Sequence, residues 1–201
     1  MTAISVKSAF KCASWRAHGI EVPIAVNLSA KILDNSDLPE KIKQLLDKWQ
    51  LPAEMLTLEV TETGALARQE VAAKLLFELA GLGVQIPIDD FGSGFTSFRY
   101  LRDFTIHELK IDQMSVDDLV KGKRDESIIK SMLELGKGFG VKVVAEGIED
   151  KTTLERLKAL NCEYGQGYLF SGAMHPNQFV VWASDWAIKC RSASTKAPWL
   201  D

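Results

Sequence analysis

The sequence predicts an α/β fold, a TIM-like β/α barrel incomplete at its N-terminal end, and three observations carry that expectation. Short β-rich apolar runs alternate with longer segments of helical apolar spacing, as a parallel sheet with crossover helices requires. Every run delivers a polar group late in its length. The chain also opens in the helical half of a β/α unit, with no strand before it.

Taken in order, residues 3–18 read as a helix stopped by Gly19, and the first strand follows at 24–28. Helical spacing over 38–49 leads to a second strand at 56–61, and a helix over 69–82 leads to a third at 84–91. The fourth strand is 108–112; after a helix over 125–139 comes the fifth, at 141–148. Gly83 and Gly140 stand where a helix stops and a strand begins, a place that favours a left-handed residue without a Cβ. Asp150 is the N-cap expected for a helix over 152–160, which precedes the sixth strand at 164–170. No apolar period continues beyond Trp186, so residues 1–188 are expected to form one domain and 189–201 a flexible tail. About six strand–helix units are too few for a closed eight-stranded barrel, and by count alone they also suit an open doubly wound sheet. In a barrel all strand C-termini meet at one mouth, whereas the outer strands of an open sheet stay apart, so the shared placement of polar groups decides for the barrel.

With 46% hydrophobic and 25% charged residues, the 201-residue chain has the make-up of one soluble globular domain able to bury a full core. A formal charge of −3 excludes a broad basic surface that would hold nucleic-acid polymer or anionic lipid by charge alone. Cys12, Cys162 and Cys190 are odd in number and lack the paired spacing of a zinc site, which suits reduced thiols in a cytoplasmic protein. No apolar run approaches the roughly 18 residues of a membrane span. The N-terminus carries lysines and a cysteine where a secretory signal keeps an unbroken apolar stretch. His18, His107 and His175 sit in unrelated contexts and read as surface or satisfied histidines.

The polar groups at the strand ends are Asn27, then Glu59 and Glu62, then Asp89 and Asp90, then Lys110 and Asp112, then Glu146 and Glu149, and finally Gln166. A single acid at a strand end is ordinarily a loop cap or a surface charge. Six strands carrying one in the same place point to a common centre. A cluster rich in oxygen donors, without thiol or histidine, suits Mg2+ or Mn2+ rather than zinc or copper. Asp89 and Asp90 lie on opposite faces of a regular strand, so both reach the centre only if the chain turns there, as Phe91-Gly92-Ser93-Gly94 allows. Two metals roughly 4 Å apart could then share a carboxylate, activate water and stabilise a phosphoryl leaving group. Lys110 amid apolar residues could orient water or offset phosphate charge, and taken alone it reads better as a structural ion pair with one of the acids.

These residues resemble the EAL family of cyclic di-GMP phosphodiesterases, which linearise cyclic di-GMP to pGpG. The resemblance runs through Val26-Asn27-Leu28-Ser29-Ala30, Leu58-Glu59-Val60-Thr61-Glu62, Asp89-Asp90-Phe91-Gly92-Ser93-Gly94-Phe95, Leu109-Lys110-Ile111-Asp112, Ala145-Glu146-Gly147-Ile148-Glu149 and Gln166-Gly167-Tyr168-Leu169-Phe170. It implies that Asn27, Glu59 and Asp89 hold one metal, and that Asp89, Asp90 and Glu146 hold or border a second. Lys110, Glu146 and Glu62 would serve catalysis, Glu62 by bracing the loop after Asp90. Gln166, Lys110 and Glu149 would face substrate, Glu149 also supporting the site from behind. The loop 92–97 resembles the family's mobile loop, with Ser93, Phe95 and Thr96 as mild variations, and Gln113 stands where the family often has arginine. The cofactors implied are two ions of Mg2+ or Mn2+, with Ca2+ inhibiting. The partners implied are cyclic di-GMP, a second copy in a homodimer, and an upstream sensory or receiver domain in a longer protein. The sequence contains no Glu-Ala-Leu triplet. The resemblance therefore implies a barrel without its opening strands, a metal-ligating glutamate or the basic residue after it. That leaves a phosphodiesterase, a non-catalytic module that binds cyclic di-GMP or a protein, or a fragment whose open edge is covered by swapping or dimerisation.

Overall fold

A computed structural model of the protein describes residues 3–17, 19–93, 98–120 and 122–192. In chain order its principal elements are α1 (Ala3–Arg16), β1 (Ile24–Leu28), α2 (Leu38–Trp49), β2 (Leu56–Thr61), α3 (Glu62–Leu66), α4 (Gln69–Gly81) and β3 (Pro87–Phe91). Then follow β4 (Glu108–Ile111), α5 (Gln113–Asp118), α6 (Lys123–Phe139), β5 (Lys142–Ala145), α7 (Lys151–Ala159), β6 (Tyr164–Gly165) and α8 (Pro176–Ser192). The six strands form one sheet in the order β1-β2-β3-β4-β5-β6, every neighbouring pair parallel. A doubly wound sheet reverses direction at a switch point, whereas a strictly sequential order means that each crossover steps the same way. The architecture is that of a TIM-like β/α barrel.

Burial along the strands separates two faces. On β2, Leu56, Leu58 and Val60 are buried while Thr57, Glu59 and Thr61 are half-buried. The apolar set joins Ile42, Leu45 and Leu46 of α2 and Leu75, Leu76 and Leu79 of α4 in one core. Each such side chain removed from water contributes about 1.5–3 kcal/mol, so the helix-facing side of the sheet holds the fold together. The alternate set, free of that duty, can carry polar groups toward the strand ends.

The expected punctuation is present. Gly83 has φ 94° after α4, and Gly140 has φ 69° as the C-cap of α6, where Val141 N–H donates to Gly136 O at 3.0 Å. Asp150 caps α7, its Oδ1 accepting from Thr153 N–H at 2.9 Å and its Oδ2 from the Thr153 hydroxyl at 2.9 Å. Three expectations change. The third, fifth and sixth strands are shorter than their apolar runs; β5 ends before Gly147 (φ 69°), whose left-handed backbone leaves the ladder. The fourth ends at Ile111, and Asp112 turns away to cap α5 through Ser115 N–H at 3.0 Å and its hydroxyl at 2.7 Å. Helix α8 opens with Pro176, a favoured first position, and runs to Ser192, past the residue 189 at which the tail was expected. Residues 193–201 lie outside the described set, as do His18 and residues 94–97.

Phe179 of α8 packs on Trp15 of α1 with ring centroids 4.5 Å apart, and Trp182, Trp186 and Phe170 continue the aromatic row. Cys12 and Cys162 are free and buried. His107 is satisfied, its Nδ1 accepting from Ile86 N–H at 3.1 Å. No helix among the described residues is long and apolar enough to cross a membrane.

Candidate metal centre at the strand ends

Parallel register brings the polar residues together. Asn27 stands beside Glu59 on the neighbouring strand. Lys110, on β4, is the hub: its Nζ lies 2.9 Å from Glu59 Oε1, 3.3 Å from Asp89 Oδ1 and 2.6 Å from Glu146 Oε1. Only 5% of Lys110 is exposed, so one cation sits out of water among three carboxylates from three other strands or strand ends. Gln166, just beyond β6, donates from Nε2 to the same Glu146 Oε1 at 2.8 Å.

Asp89 and Asp90 both reach the centre because the chain leaves the regular strand between them. The β3–β4 register shifts between Ile88 and Phe91, and Asp90 has φ 54°, a left-handed conformation that aspartate tolerates better than most residues. The turn therefore falls on Asp90 itself, one step earlier than the glycine-containing segment suggested. Carboxylate oxygens of Asp89, Asp90 and Glu146 then lie within 4.8 Å of one another.

Glu62 takes a different place from the other acids. It is fully buried at the start of α3, its Oε2 accepting from Gly92 N–H at 3.0 Å and its Oε1 from the Tyr100 hydroxyl at 2.8 Å. Both oxygens accept hydrogen bonds, one from the segment after Asp90 and one from Tyr100, so Glu62 ties that segment to the start of α3. The Ser93 hydroxyl adds to the brace by donating to Asp90 O at 2.8 Å. Tyr100 carries no signal in the sequence, where a tyrosine between Arg99 and Leu101 has no distinguishing pattern and its partner lies 38 residues away. Burial and the hydrogen bond to Glu62 push the Tyr100 hydroxyl far up, which fixes it as the donor.

A groove of about 490 Å³ opens beside the cluster, lined by Gln113, Glu146, Glu149, Gln166 and Tyr168 among others. Glu149 and Gln166 share one cavity wall with Glu146, and exposed Tyr168 joins them. A tyrosine directly after Gln166-Gly167 offered no periodic signal that would set it apart.

The donor set fits divalent cations. Asp89 Oδ1 is buried without a hydrogen-bond partner, the Lys110 ammonium being near but outside bonding geometry. Burial raises Asp90, and the Asp89 and Asp112 charges raise it further. Burial likewise raises Glu146, against the pull of Lys110. Carboxylates crowded and desolvated in this way gain most from a hard cation with oxygen ligands.

The EAL domain family matches residues 2–173. The chain belongs to the EAL domain family. Among relatives of this EAL chain, the signaling protein YkoW of Bacillus subtilis is 38% identical over 165 residues, 82% of this chain and 21% of that protein. Cyclic di-GMP phosphodiesterase PA2567 of Pseudomonas aeruginosa is 34% identical over 170 residues, 85% of this chain and 29% of that protein. The chain thus spans under a third of the length of these curated relatives. The PaMucR phosphodiesterase solved as its c-di-GMP complex superposes with TM-score 0.82 at 33% identity, over 87% of this chain and 71% of that one. The EAL domain of Mycobacterium smegmatis DcpA gives TM-score 0.85 at 27% identity, over 90% and 82% of the two chains.

Proposed function

We propose that this EAL domain hydrolyses cyclic di-GMP to linear pGpG and so removes a bacterial second messenger. The observation that carries the reading is the buried Lys110 held by Glu59, Asp89 and Glu146, with the Asp89–Asp90–Glu146 oxygens gathered beside it. Relatives that bear the name of cyclic di-GMP phosphodiesterase support the substrate. In this reading Asn27, Glu59 and Asp89 hold one Mg2+ or Mn2+, and Asp89, Asp90 and Glu146 hold or border a second. Such ions lower the pKa of bound water and neutralise phosphate charge.

The remaining steps belong to the chain's own groups. Lys110 and Gln166 both donate to Glu146 Oε1, which orients the carboxylate and leaves Oε2 to accept a proton from the attacking water. The water oxygen bonds to phosphorus, one phosphate–ribose P–O bond breaks, and the ribose oxygen leaves with a proton taken from solvent, while Glu146 returns to solvent the proton it accepted. The Lys110 ammonium offsets charge on the phosphate oxygens, Glu62 keeps the segment carrying Asp90 in place, and Gln166 and Glu149 present polar atoms to substrate. A cytoplasmic setting, a homodimer and an upstream sensory or receiver domain belong to the same reading.

The test is incubation of the purified chain with cyclic di-GMP in Mg2+, Mn2+ or Ca2+, with products separated by ion-exchange chromatography. Linear pGpG is expected with Mg2+ and Mn2+ and not with Ca2+. Cyclic di-GMP bound in every buffer and cleaved in none would overturn hydrolysis in favour of a binding module.

A further inference from the structure

We propose that α8 is a strap that shields the open side of the sheet from a second copy of the chain. Among the described residues β1 pairs only with β2 and β6 only with β5, so each end of the sheet presents backbone N–H and C=O groups along its outer side. Strand β6 has two residues and is too short to template a partner, whereas β1 pairs with β2 over all five of its residues without a register shift. Edge strands that stay single in solution ordinarily carry a charge, a proline or a bulge that turns another strand away. The β1 sequence Ile-Ala-Val-Asn-Leu has none of these. Its protection has to come from outside the strand, because in a solution of one protein the strand at hand to extend it belongs to another copy.

The element that stands there is α8. Phe179, Trp182 and Trp186 recur at i, i+3 and i+7 and so lie on one face of the helix. At one end Phe179 packs on Trp15 near the end of α1, which itself packs on β1. At the other end Trp186 meets Phe170 edge-on at 6.4 Å, and Phe170 follows β6 in the chain. Trp182 joins the two ends, 6.0 Å from Phe179 and 5.2 Å from Trp186. The helix therefore reaches from one edge of the sheet to the other. All three of its rings are half-buried, and Asn177, Val181, Ser184 and Asp185 on its remaining surface are exposed. Gly172 and Ala173, which connect it to the body, are exposed as well. A helix held by one half-buried row opens at a lower free energy than strands with a buried core against them. Its release bares the aromatic row and the β1 edge together.

The experiment is size-exclusion chromatography with light scattering on the full chain over a wide concentration range, with amide hydrogen exchange read by mass spectrometry. Phe179→Ala combined with Trp182→Ala should speed exchange of the α8 amides about tenfold or more while those of β2, β3 and β4 stay protected. The average mass of this variant should climb with concentration beyond that of wild type. Ala25→Lys sets a charge at an exposed position of β1 and, added to the same variant, should return the mass to the wild-type value. Three results each overturn the proposal: α8 amides as protected as in wild type, α8 amides released with no rise in mass, or a rise that Ala25→Lys does not reverse. If the double variant loses its strand protection, wild type decides the matter. In urea below its unfolding transition the α8 amides should open before those of the strands, with the mass rising at the same urea concentration. Opening of α8 only together with the strands, or without a rise in mass, overturns the strap.

Discussion

Taking an ammonium out of water ordinarily lowers its pKa, because burial disfavours the charged form. Lys110 goes the other way: burial pulls it down, but hydrogen bonds to Glu146 and Glu59 and their charges outweigh that and hold it above the usual lysine value. The ammonium is thus the internal counter-ion of the acidic cluster. Lys110→Met should cost about 3–5 kcal/mol of unfolding free energy in metal-free buffer, because it strands carboxylates that had a partner. Added Mn2+ should restore more stability to this variant than it adds to wild type, as read by urea denaturation with and without the ion. A variant as stable as wild type in chelator would show that the lysine balances nothing. Tyr100→Phe tests the brace in the same way: losing one donor to buried Glu62 should cost about 1–3 kcal/mol. It should also weaken Mn2+ binding, measured by titration calorimetry, because the segment from Asp90 to Gly92 loses its hold. Asn27, Glu59, Asp89, Asp90, Lys110 and Glu146 stood out as candidates in the sequence because a polar side chain recurs late in every apolar run, whereas one alone would read as a cap, a surface charge or an ion pair. Tyr100 and Tyr168 were not, since an aromatic beside apolar residues looks the same in a core, a brace or a groove. Asp112 was misread because one residue of strand length decides whether an acid faces the mouth or caps the next helix.

Elements here are set by short-range devices at their ends, and one of them has a clear dependence on pH. Thr153 N–H and hydroxyl both bond the Asp150 carboxylate at the start of α7, and together they hold its pKa below the usual aspartate value. A carboxyl group depressed in the folded state contributes stability that is present above its unfolded pKa and is lost as pH falls through the folded one. Asp150→Ala should therefore lower the melting temperature at pH 7, and the gap from wild type should close as pH falls through and below the carboxylate range. Melting curves for both proteins from pH 7 to pH 3 check this, and a gap constant with pH would show that the cap works without its charge. The same kind of device explains why β6 is only two residues long. Beyond Gly165 the backbone continues to pair irregularly, Ile148 N–H donating to Gln166 O and Leu169 N–H to Ile148 O, while Gly167 packs against the Ile148 backbone where a Cβ has no room. An apolar run announces that a segment is extended and buried, but not how many of its residues stay in register.

At the scale of the molecule, the alternation of runs and helices was enough to give six parallel strands, and the convergence of polar groups was enough to choose a barrel over a doubly wound sheet. Neither pattern revealed how the first and last helices meet, because α8 has a mixed face whose partner lies at the other end of the chain. Trp15 and Phe179 make that contact, 4.5 Å between ring centroids, and Phe179 continues into the row of Trp182 and Trp186. Strands β1 and β6 have no pairing with each other among the described residues, so the arc of sheet is bridged through its helices instead. If the bridge carries energy, Trp15→Ala and Phe179→Ala should each destabilise the chain, and the double variant should lose less than their sum. A coupling of about 0.5–1.5 kcal/mol is expected from a double-mutant cycle in urea, the range for a packed aromatic pair. Strict additivity would mean that α8 rides on the arc without bracing it. The coupling should be the same with and without Mn2+, because neither ring lies among the residues that form the acidic cluster.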